Sequence, residues 1–367
     1  MKICGIIVEY NPFTYGHLHH IEQARKLSGC DVLVAVMSGN FVQRGEVSII
    51  DKWARAKCAV EHGVDLVIQL PYIYSNQSAT QFAQGAVQAL KLCIIDTLVF
   101  GSESNNLENL KEIASLNINI DHLKKQMKTG DSYASSYSLL QGQFPPNDIL
   151  ALAYLRALQD SDITPISILR TTDYHNVEVS GKISSATSIR NLLYQEKDTS
   201  EYCPMSFEYC HYNELYFNYL KTMMLTLDAS YLESIFLVDE GLQNHLIASI
   251  KKSNTYPDFI QEAVNRRYSK ARIQRVCMNI LNHISKQEKQ KLPPMDFIRP
   301  LAFNASGQQL LKHLRKQGVS IASCFAQMPI EYRKMEYKTT QLYVHPLDSQ
   351  LQKKILEREL QGPIIVK

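Results

Sequence analysis

The 367-residue sequence predicts an α/β fold, a doubly wound Rossmann-like parallel sheet followed by a mainly helical C-terminal domain. Two observations predict it. In the first half of the chain, short apolar runs recur at intervals of roughly 30 residues with helix-like segments between them, which is the rhythm of βαβ units. After about residue 200 the spacing of apolar residues becomes mainly helical. We therefore expect two domains, residues 1–200 and 201–367, with the boundary near 197–205.

The first strands and helices follow one another along residues 2–103. Each predicted strand is almost entirely apolar, as expected when helices cover both faces of a sheet. The helices between them show one apolar face, and the first two end at glycine. The strands are expected at 2–10, 31–39, 64–71 and 95–103, and the helices at 17–29, 52–63 and 78–92.

The rest of the sheet domain is less regular. Residues 106–145 are expected to form a mostly helical insertion, followed by a helix over 147–159 and a fifth strand over 165–172. A further helix is expected over 185–195. Because parallel sheets bind ligands beyond the carboxyl ends of their strands, we expect the functional site at that edge.

Composition and charge narrow the class of protein. The N-terminus lacks the pattern of a signal peptide and the apolar runs are too short to cross a bilayer, so a soluble, cytoplasmic protein is expected. The eight cysteines form no CxxC pair, and neither a zinc site nor another protein-built metal site is expected. Residues 251–300 hold eleven Lys/Arg and four Asp/Glu, although the net charge is only +3. This basic segment predicts a polyanionic partner.

The segment EYNPFTYGHLHH, Glu9–His20, lies between the first strand and the first helix, where a doubly wound fold binds phosphate. Gly16 allows close approach of a phosphate, and the start of the helix favours an anion. His17 and His20 share one face of the first turn, where they can hydrogen-bond phosphate oxygens during displacement at the α-phosphate. Thr14 offers a hydroxyl to the same phosphates. Ordinary helical histidines are the competing interpretation, which the position of TxGHxxH between strand and helix disfavours.

The TxGH motif resembles that of the nucleotidyltransferase superfamily, whose members carry a second phosphate-binding motif after the last core strand, often ISSTxIR. This chain has ISSATSIR at 183–190. Its hydroxyls and guanidinium can bind the β- and γ-phosphates, although a helix N-cap cluster would have a similar composition. The candidate residues are Ser184, Ser185, Thr187, Ser188 and Arg190. The extra alanine leaves open which hydroxyls point inward.

Five further segments resemble the tRNA(Met) cytidine acetate ligase family. They are MSGNFVQRGE (37–46), DLVIQLP (65–71), FGSE (100–103), PPNDIL (145–150) and IRPLAFNASG (298–307). The resemblance implies that acetate and ATP form acetyl-adenylate and pyrophosphate. The N4 amine of the wobble cytidine of elongator tRNA(Met) then attacks, giving N4-acetylcytidine and AMP without acetyl-CoA. A divalent ion such as Mg²⁺ can bridge the phosphates, although the sequence shows no dedicated carboxylate cluster.

The resemblance also implies the residues of the site. The expected catalytic residues are His17, His20 and Arg190. The expected ATP-binding residues form the loop 7–20 and six positions elsewhere. They are Ile7, Val8, Glu9, Tyr10, Asn11, Pro12, Phe13, Thr14, Tyr15, Gly16, His17, Leu18, His19, His20, Gly101, Asn147, Arg170, Ser185, Thr187 and Ser188. The family commonly reads PNNIL where this chain has Asn147 and then Asp148, so either of these two can be the nucleotide contact.

Polar residues after the second strand complete the expected site. Ser38, Gly39 and Asn40 follow that strand at the ligand-binding edge and are expected to line the pocket for the acyl group. Arg44 and Glu46 lie in the same loop. They either position the substrate or form a structural ion pair, and the sequence does not decide between these roles.

Residues 265–276, NRRYSKARIQRV, carry five basic side chains and no acid. On a helix, the arginines can project outward while the apolar residues face inward. RNA phosphates are the predicted partner, with the tyrosine stacked on an unpaired base, and a solvated face is the alternative. The expected RNA-binding residues are Arg266, Arg267, Tyr268, Lys270, Arg272 and Arg275.

Two other functions stay open. A small-molecule nucleotidyltransferase of the coenzyme type would use the same phosphate motifs, but it would leave the basic segment without a role. A catalytically silent RNA-binding protein would not need the intact His17, His20 and Arg190. Acyl specificity, the identity elements of the tRNA and the oligomeric state are not determined by the sequence.

Overall fold

A seven-stranded sheet forms the centre of the computed structural model, which describes residues 1–116, 144–170 and 184–367. The strands in chain order are β1 (Ile3–Val8), β2 (Val32–Ser38), β3 (Phe41–Val42), β4 (Glu46–Val47), β5 (Leu66–Leu70), β6 (Thr97–Ser102), β7 (Thr164–Leu169), β8 (Phe297–Ile298), β9 (Pro300–Phe303), β10 (Ser320–Ile321) and β11 (Ile364–Ile365). The order across the large sheet is β11-β9-β5-β2-β1-β6-β7.

The five strands from β5 to β7 pair in parallel, which confirms the predicted doubly wound sheet. β1 is central, and its residue Gly5 lies opposite Val34 on one side and Leu98 on the other. Every residue of β2 and β5 is buried, because helices cover both faces of the sheet. The carboxyl ends of β1, β6 and β7 therefore meet at one edge.

Five helices of the first half lie close to their predicted positions, one lies in the predicted helical insertion, and the short helix Tyr72–Ser75 is not predicted by the sequence. They are α1 (Tyr15–Ser28), α2 (Lys52–Glu61), α3 (Tyr72–Ser75), α4 (Ala79–Leu92), α5 (Leu107–Ser115), α6 (Pro146–Ala157) and α7 (Ala186–Tyr194). Asp51 caps α2 and Ser78 caps α4 through their side chains, whereas α1 ends at Gly29 in the left-handed conformation. Most of the predicted insertion and the end of the predicted fifth strand, residues 117–143 and 171–183, lie outside the described residues.

The region after residue 200 is mainly helical, as predicted, but it also adds two strands to the sheet. β9 pairs antiparallel with β5, and β11 pairs in parallel with β9. The helices are α8 (Phe217–Thr226), α9 (Ala229–Ser234), α10 (Leu242–Lys251), α11 (Tyr256–Ala263), α12 (Lys270–Leu281), α13 (Lys286–Lys291), α14 (Ala305–Lys316), α15 (Ile330–Val344) and α16 (Ser349–Leu360). The division into two domains near residue 200 stays a prediction.

Buried charged side chains join the two halves of the chain. The ammonium of Lys52 and the guanidinium of Arg299 each lie 2.8 Å from Oε1 of Glu359. Glu336 accepts the backbone N–H of Tyr72 at 2.6 Å. Since an uncompensated buried charge costs several kcal/mol, loss of one partner is expected to loosen this contact. In the described ranges, no helix is both long enough and apolar enough to span a membrane.

Candidate active site

A cleft of about 240 Å³ opens beyond the carboxyl ends of β1, β6 and β7. Its walls are the loop after β1, the first turns of α1, α6 and α7, and the loop that joins β3 to β4. The structure brings most of the sequence-predicted residues together here. Those that line the cleft are Ile7, Val8, Glu9, Tyr10, Asn11, Thr14, Gly16, His17, His19, His20, Arg44, Gly101, Asn147, Arg170, Ser184, Ser185, Thr187 and Arg190.

Five predicted ATP-binding residues do not line the described cleft. Pro12 and Phe13 are buried, and Leu18 packs against the core. Tyr15 is partly exposed at the start of α1. Ser188 is 1% exposed, and its hydroxyl donates to the carbonyl of Ser185 at 2.8 Å. The structure therefore contradicts direct phosphate contact by Ser188, because this hydroxyl is turned back onto its own helix.

His17 is held by the cap of its own helix. Its Nδ1 accepts the backbone N–H of Thr14 at 3.0 Å and lies 3.1 Å from Oγ1 of the same residue. An accepting Nδ1 assigns the ring proton to Nε2. Burial, followed by the charges of Arg170 and His20, lowers the pKa of His17 to about 3. The ring is therefore neutral at physiological pH and offers the cleft one N–H donor.

His20 lies one turn further along α1. Its Nε2 is buried and has no hydrogen-bond partner among the residues that the structure describes. Burial, then Arg170 and His19, lowers the pKa of His20 to about 4, so this ring is also neutral. An unsatisfied buried nitrogen costs free energy, and a ligand that bonds to it would recover that energy.

Arg190 fixes the loop after β1. One guanidinium nitrogen donates to the carbonyl of Asn11 at 2.7 Å, and the other lies 3.3 Å from Oγ1 of Thr187 and 3.6 Å from Oε2 of Glu46. Glu46 therefore forms an ion pair, one of the two roles expected for it, but with Arg190 rather than Arg44. The hydrogen bond from Arg190 to the carbonyl of Asn11 joins the two phosphate motifs on one side of the cleft.

Asn147 and Asp148 have different surroundings. Asp148 is 1% exposed, and its carboxylate accepts from the hydroxyl of Ser102 at 2.5 Å and from the backbone N–H of Glu103 at 3.0 Å. Asn147 lines the cleft, where its Oδ1 accepts from Arg170 at 3.0 Å. The amide of Asn147 also donates to Oε1 of Glu103 at 2.5 Å. Asn147 stays the better candidate for the ligand contact, because it lines the cleft whereas Asp148 is buried behind it.

Gly101 makes room for Arg170. A Cβ at position 101 would lie 3.1 Å from Cγ of Arg170, which is closer than most side-chain contacts. The stem of this arginine therefore crosses the glycine at the end of β6, and its guanidinium reaches Asn147. Both residues line the cleft as predicted, with the arginine as the immediate neighbour of the glycine.

The predicted acyl pocket is contradicted by burial. Ser38 and Asn40 are 0% and 4% exposed and do not line the described cleft. They lie beside Arg55, a fully buried guanidinium that donates to the carbonyls of Glu9 and Ser38, at 2.5 and 3.2 Å, and to the carbonyl of Gly39. These residues hold the loops at the end of β1 and β2 rather than a ligand.

Several cleft residues are absent from the sequence prediction. Leu150 and Tyr154 follow Asn147 on one face of α6, and Phe82 and Phe100 add apolar surface. The spacing of three and four residues along α6 is the signal that could have identified the first two. Phe82 comes from α4 and carries no local signal, because only the tertiary fold brings it to the cleft.

The predicted RNA-binding residues divide into two groups. Arg266, Arg267 and Lys270 are exposed, as expected. Tyr268 is only 5% exposed, and the guanidiniums of Arg267 and Arg272 lie 5.6 and 5.5 Å from its ring centre. The predicted stacking of a base on Tyr268 is therefore wrong, because this ring belongs to the core and cations cover it.

Arg275 connects the basic segment to the cleft. Its guanidinium donates to the carbonyl of Gln43 at 3.4 Å, and Gln43 and Arg44 line the cleft. Burial, followed by the charges of Arg272 and Arg44, lowers the pKa of Arg275 to about 10. Three guanidiniums thus lie close together between the exposed part of the basic segment and the cleft.

The doubly wound sheet and the paired histidines at its edge define a nucleotidyltransferase of the HIGH type, and the model of the HIGH Nucleotidyl Transferase family matches residues 1–359. Proteins called tRNA(Met) cytidine acetate ligase are similar over nearly the whole chain. The protein of Anoxybacillus flavithermus is 36% identical over 99% of both chains, and that of Bacillus subtilis is 34% identical over 96% of this chain and 94% of its own. The chain belongs to the tRNA(Met) cytidine acetate ligase family.

Two solved structures are similar to this chain over its whole length. Thermotoga maritima TmcAL without ligand is 28% identical over the whole of both chains, with a TM-score of 0.89. The same protein bound with alpha-thio ATP gives a TM-score of 0.87, also over both whole chains.

Proposed function

We propose that this chain is an ATP-dependent ligase that activates acetate as acetyl-adenylate and transfers the acetyl group to N4 of the wobble cytidine of elongator tRNA(Met). The observation that supports it most is the meeting of both phosphate motifs in one cleft. His17, His20, Thr187 and Arg190 all line it, in a chain whose relatives are called tRNA(Met) cytidine acetate ligase.

The first step joins acetate to the α-phosphate. A carboxylate oxygen of acetate attacks the α-phosphorus, an O–P bond forms, and pyrophosphate leaves. Nε2–H of the neutral His17 would donate to an α-phosphate oxygen as charge develops there, since Nδ1 already accepts the backbone N–H of Thr14. The hydroxyl groups of Ser185 and Thr187 and the guanidinium of Arg190 would bind the departing phosphates.

The nucleoside half of ATP would lie at the other end of the cleft. Asn147 and Arg170 bond to each other there, beside Gly101 and the apolar end of β7. An amide and a guanidinium can hydrogen-bond a ribose or an adenine edge. Burial lowers the pKa of both motif histidines most, and the charge of Arg170 is the next largest cause for each. The two ends of the cleft are therefore close in space.

A magnesium ion fits this proposal only as a companion of the triphosphate. Among the residues that the structure describes, no group of three or more His, Cys, Asp or Glu is arranged to hold a metal ion. The ion would neutralise phosphate charge when bound with ATP. The residues of this chain would then act on the phosphates themselves, through the donors named above.

The tRNA would be held by the basic segment. Arg266, Arg267 and Lys270 are exposed, and Arg272 and Arg275 continue from them toward the cleft. Contacts of this kind bind the phosphate backbone and position a nucleotide without reading its base. The segment therefore suits delivery of an anticodon loop to the cleft.

Mass spectrometry of nucleosides tests the whole proposal. The protein is incubated with ATP, isotope-labelled acetate and methionine tRNA that carries an unmodified wobble cytidine. Labelled N4-acetylcytidine is the expected product. AMP and pyrophosphate without label in the RNA would leave acetate activation standing and refute the acceptor. Absence of acetate-dependent pyrophosphate exchange would refute the ligase proposal and favour a small-molecule nucleotidyltransferase or a silent RNA-binding protein.

A further inference from the structure

The transfer step of the proposed reaction requires a proton acceptor. The N4 nitrogen of cytidine attacks the carbonyl carbon of acetyl-adenylate, a C–N bond forms, and the C–O bond to the phosphate of AMP breaks. AMP leaves with the bonding electrons, and the amine must lose one proton. A positioned base typically accelerates such a step by about 10²–10⁴-fold.

The motif histidines are poorly suited to accept this proton. Nδ1 of His17 is occupied by the backbone N–H of Thr14, so its other ring nitrogen, Nε2, already carries a proton. The pKa of about 4 for His20, lowered first by burial, makes this ring a weak base. His19 also lines the cleft, and the experiment below includes it.

Glu9 supplies the only carboxylate among the described residues that line the cleft. It follows β1 directly and is the first residue of the phosphate-binding segment Glu9–His20. Its Oε1 accepts the backbone N–H of Gln43 at 2.7 Å, which fixes the position of the side chain. Within the described part of the chain, Oε2 has neither a hydrogen-bond donor nor a cation within 4 Å, so it is available to a substrate.

We propose that Glu9 is the general base that takes the N4 proton during acetyl transfer. This inference rests on the proposed ligase function and adds a role for a residue that the family resemblance places only in the ATP loop. The proton passes from N4 to Oε2 of Glu9 and then to solvent as AMP leaves.

The charges around Glu9 suit this role. Burial raises the pKa of its carboxyl above the ordinary value, and Glu46 raises it further, whereas the backbone N–H of Gln43 and the charges of Arg44 and Arg190 lower it. Tyr154 of α6 also lies near the carboxyl, since burial and then the charge of Glu9 raise the pKa of its phenol. A raised pKa brings a carboxylate closer to the operating pH, where it accepts protons more effectively. The two arginines offset its charge toward an incoming acetate.

The test separates the two half-reactions in Glu9→Gln. Glutamine keeps an oxygen for the N–H of Gln43 but cannot accept the proton. Acetate-dependent pyrophosphate exchange reports the first step. Single-turnover transfer from enzyme-bound acetyl-adenylate to methionine tRNA reports the second, and both are measured from pH 5 to 8. Glu61→Gln, on the exposed end of α2, is the matched control.

We expect E9Q to transfer at least about 100-fold more slowly, with exchange reduced less than tenfold. The wild-type transfer rate should rise with pH and then level off, and E9Q should lose this rise. Glu9→Asp should restore part of the transfer rate. Equal losses in both half-reactions would overturn the inference by showing a structural role, as would a wild-type pH profile in E9Q or loss of the rise in His19→Asn instead. A wild-type enzyme without exchange would overturn the ligase proposal, and the inference with it.

Discussion

Replacing His17 by asparagine separates the two functions of this ring. Nδ1 accepts the N–H of Thr14 and completes the cap of α1, which leaves Nε2–H as the polar group that His17, a residue lining the cleft, can offer to a ligand. The amide oxygen of asparagine can replace Nδ1 in the cap, but the residue is too short to replace Nε2. His17→Ala removes both groups. The pair of variants therefore distinguishes a catalytic donor from a structural cap.

The two contributions have different magnitudes. A preorganised donor to charge developing in the transition state contributes about 10²–10³ in kcat, and a helix cap contributes about 1 kcal/mol of stability. Both variants should therefore lose acetate-dependent pyrophosphate exchange by about 10²–10³-fold, mainly in kcat. Only H17A should also lose about 1 kcal/mol in the free energy of unfolding, because only it leaves the N–H of Thr14 without an acceptor.

Exchange kinetics and urea denaturation measure these effects. An H17N variant that keeps exchange within threefold of the wild type would refute the assigned role of Nε2. Equal destabilisation of H17N and H17A would refute the separation of cap and donor. Nitrogen-15 NMR of labelled histidine gives an independent check, since His17 should show a proton on Nε2 and no titration between pH 5 and 8.

Three further predictions follow from the same geometry. Asn147→Ala should raise KM for ATP about tenfold with little change in stability. Asp148→Ala should lower the free energy of unfolding by about 2–4 kcal/mol, because it leaves buried donors unpaired. ATP kinetics and urea denaturation measure these effects, and the reverse pattern would exchange the roles assigned to the two residues. Gly45→Ala should destabilise the protein by more than about 2 kcal/mol, because Gly45 has φ +76° and a Cβ there would lie 2.2 Å from the backbone nitrogen of Arg275 in α12. An unchanged thermal midpoint would contradict this contact. The free energy of unfolding should fall between pH 7 and pH 5 by up to about 2 kcal/mol for each motif histidine. The folded pKa values of His17 and His20, about 3 and 4, lie below the unfolded value of 6.5, so only the unfolded state takes up protons in this range. Urea denaturation at both pH values should show a smaller fall for H17N than for the wild type.

The parallel half of the sheet could be predicted because its signals are local. β2 and β5 are fully buried, so nearly every residue in them is apolar and the runs stand out from the helices between them. The cap residues Asp51 and Ser78 mark helix starts in the same way. The loop after β1 could be predicted to line the cleft for a related reason, since its residues are contiguous between a strand and a helix.

The remaining features depend on contacts between distant residues. β9 is four residues long, and only its pairing with β5 shows that it belongs to the sheet. Tyr268 lies in a basic run that indicates an exposed surface, yet its ring is buried by packing that the run does not encode. The ion-pair partner of Glu46 could not be predicted either, because Arg190 is distant in sequence whereas Arg44 lies in the same loop as Glu46.

The loop between β3 and β4 links the proposed RNA-binding segment to the cleft. One side of this loop meets α12, where Gly45 touches the helix backbone and the carbonyl of Gln43 accepts from Arg275. The other side meets the cleft, where the N–H of Gln43 holds Glu9. Gln43 therefore hydrogen-bonds both to a basic side chain of the proposed RNA-binding segment and to the proposed base. Because both bonds use backbone atoms of Gln43, a shift of α12 on RNA binding would move the carboxylate of Glu9 through the main chain, whatever the side chain at position 43.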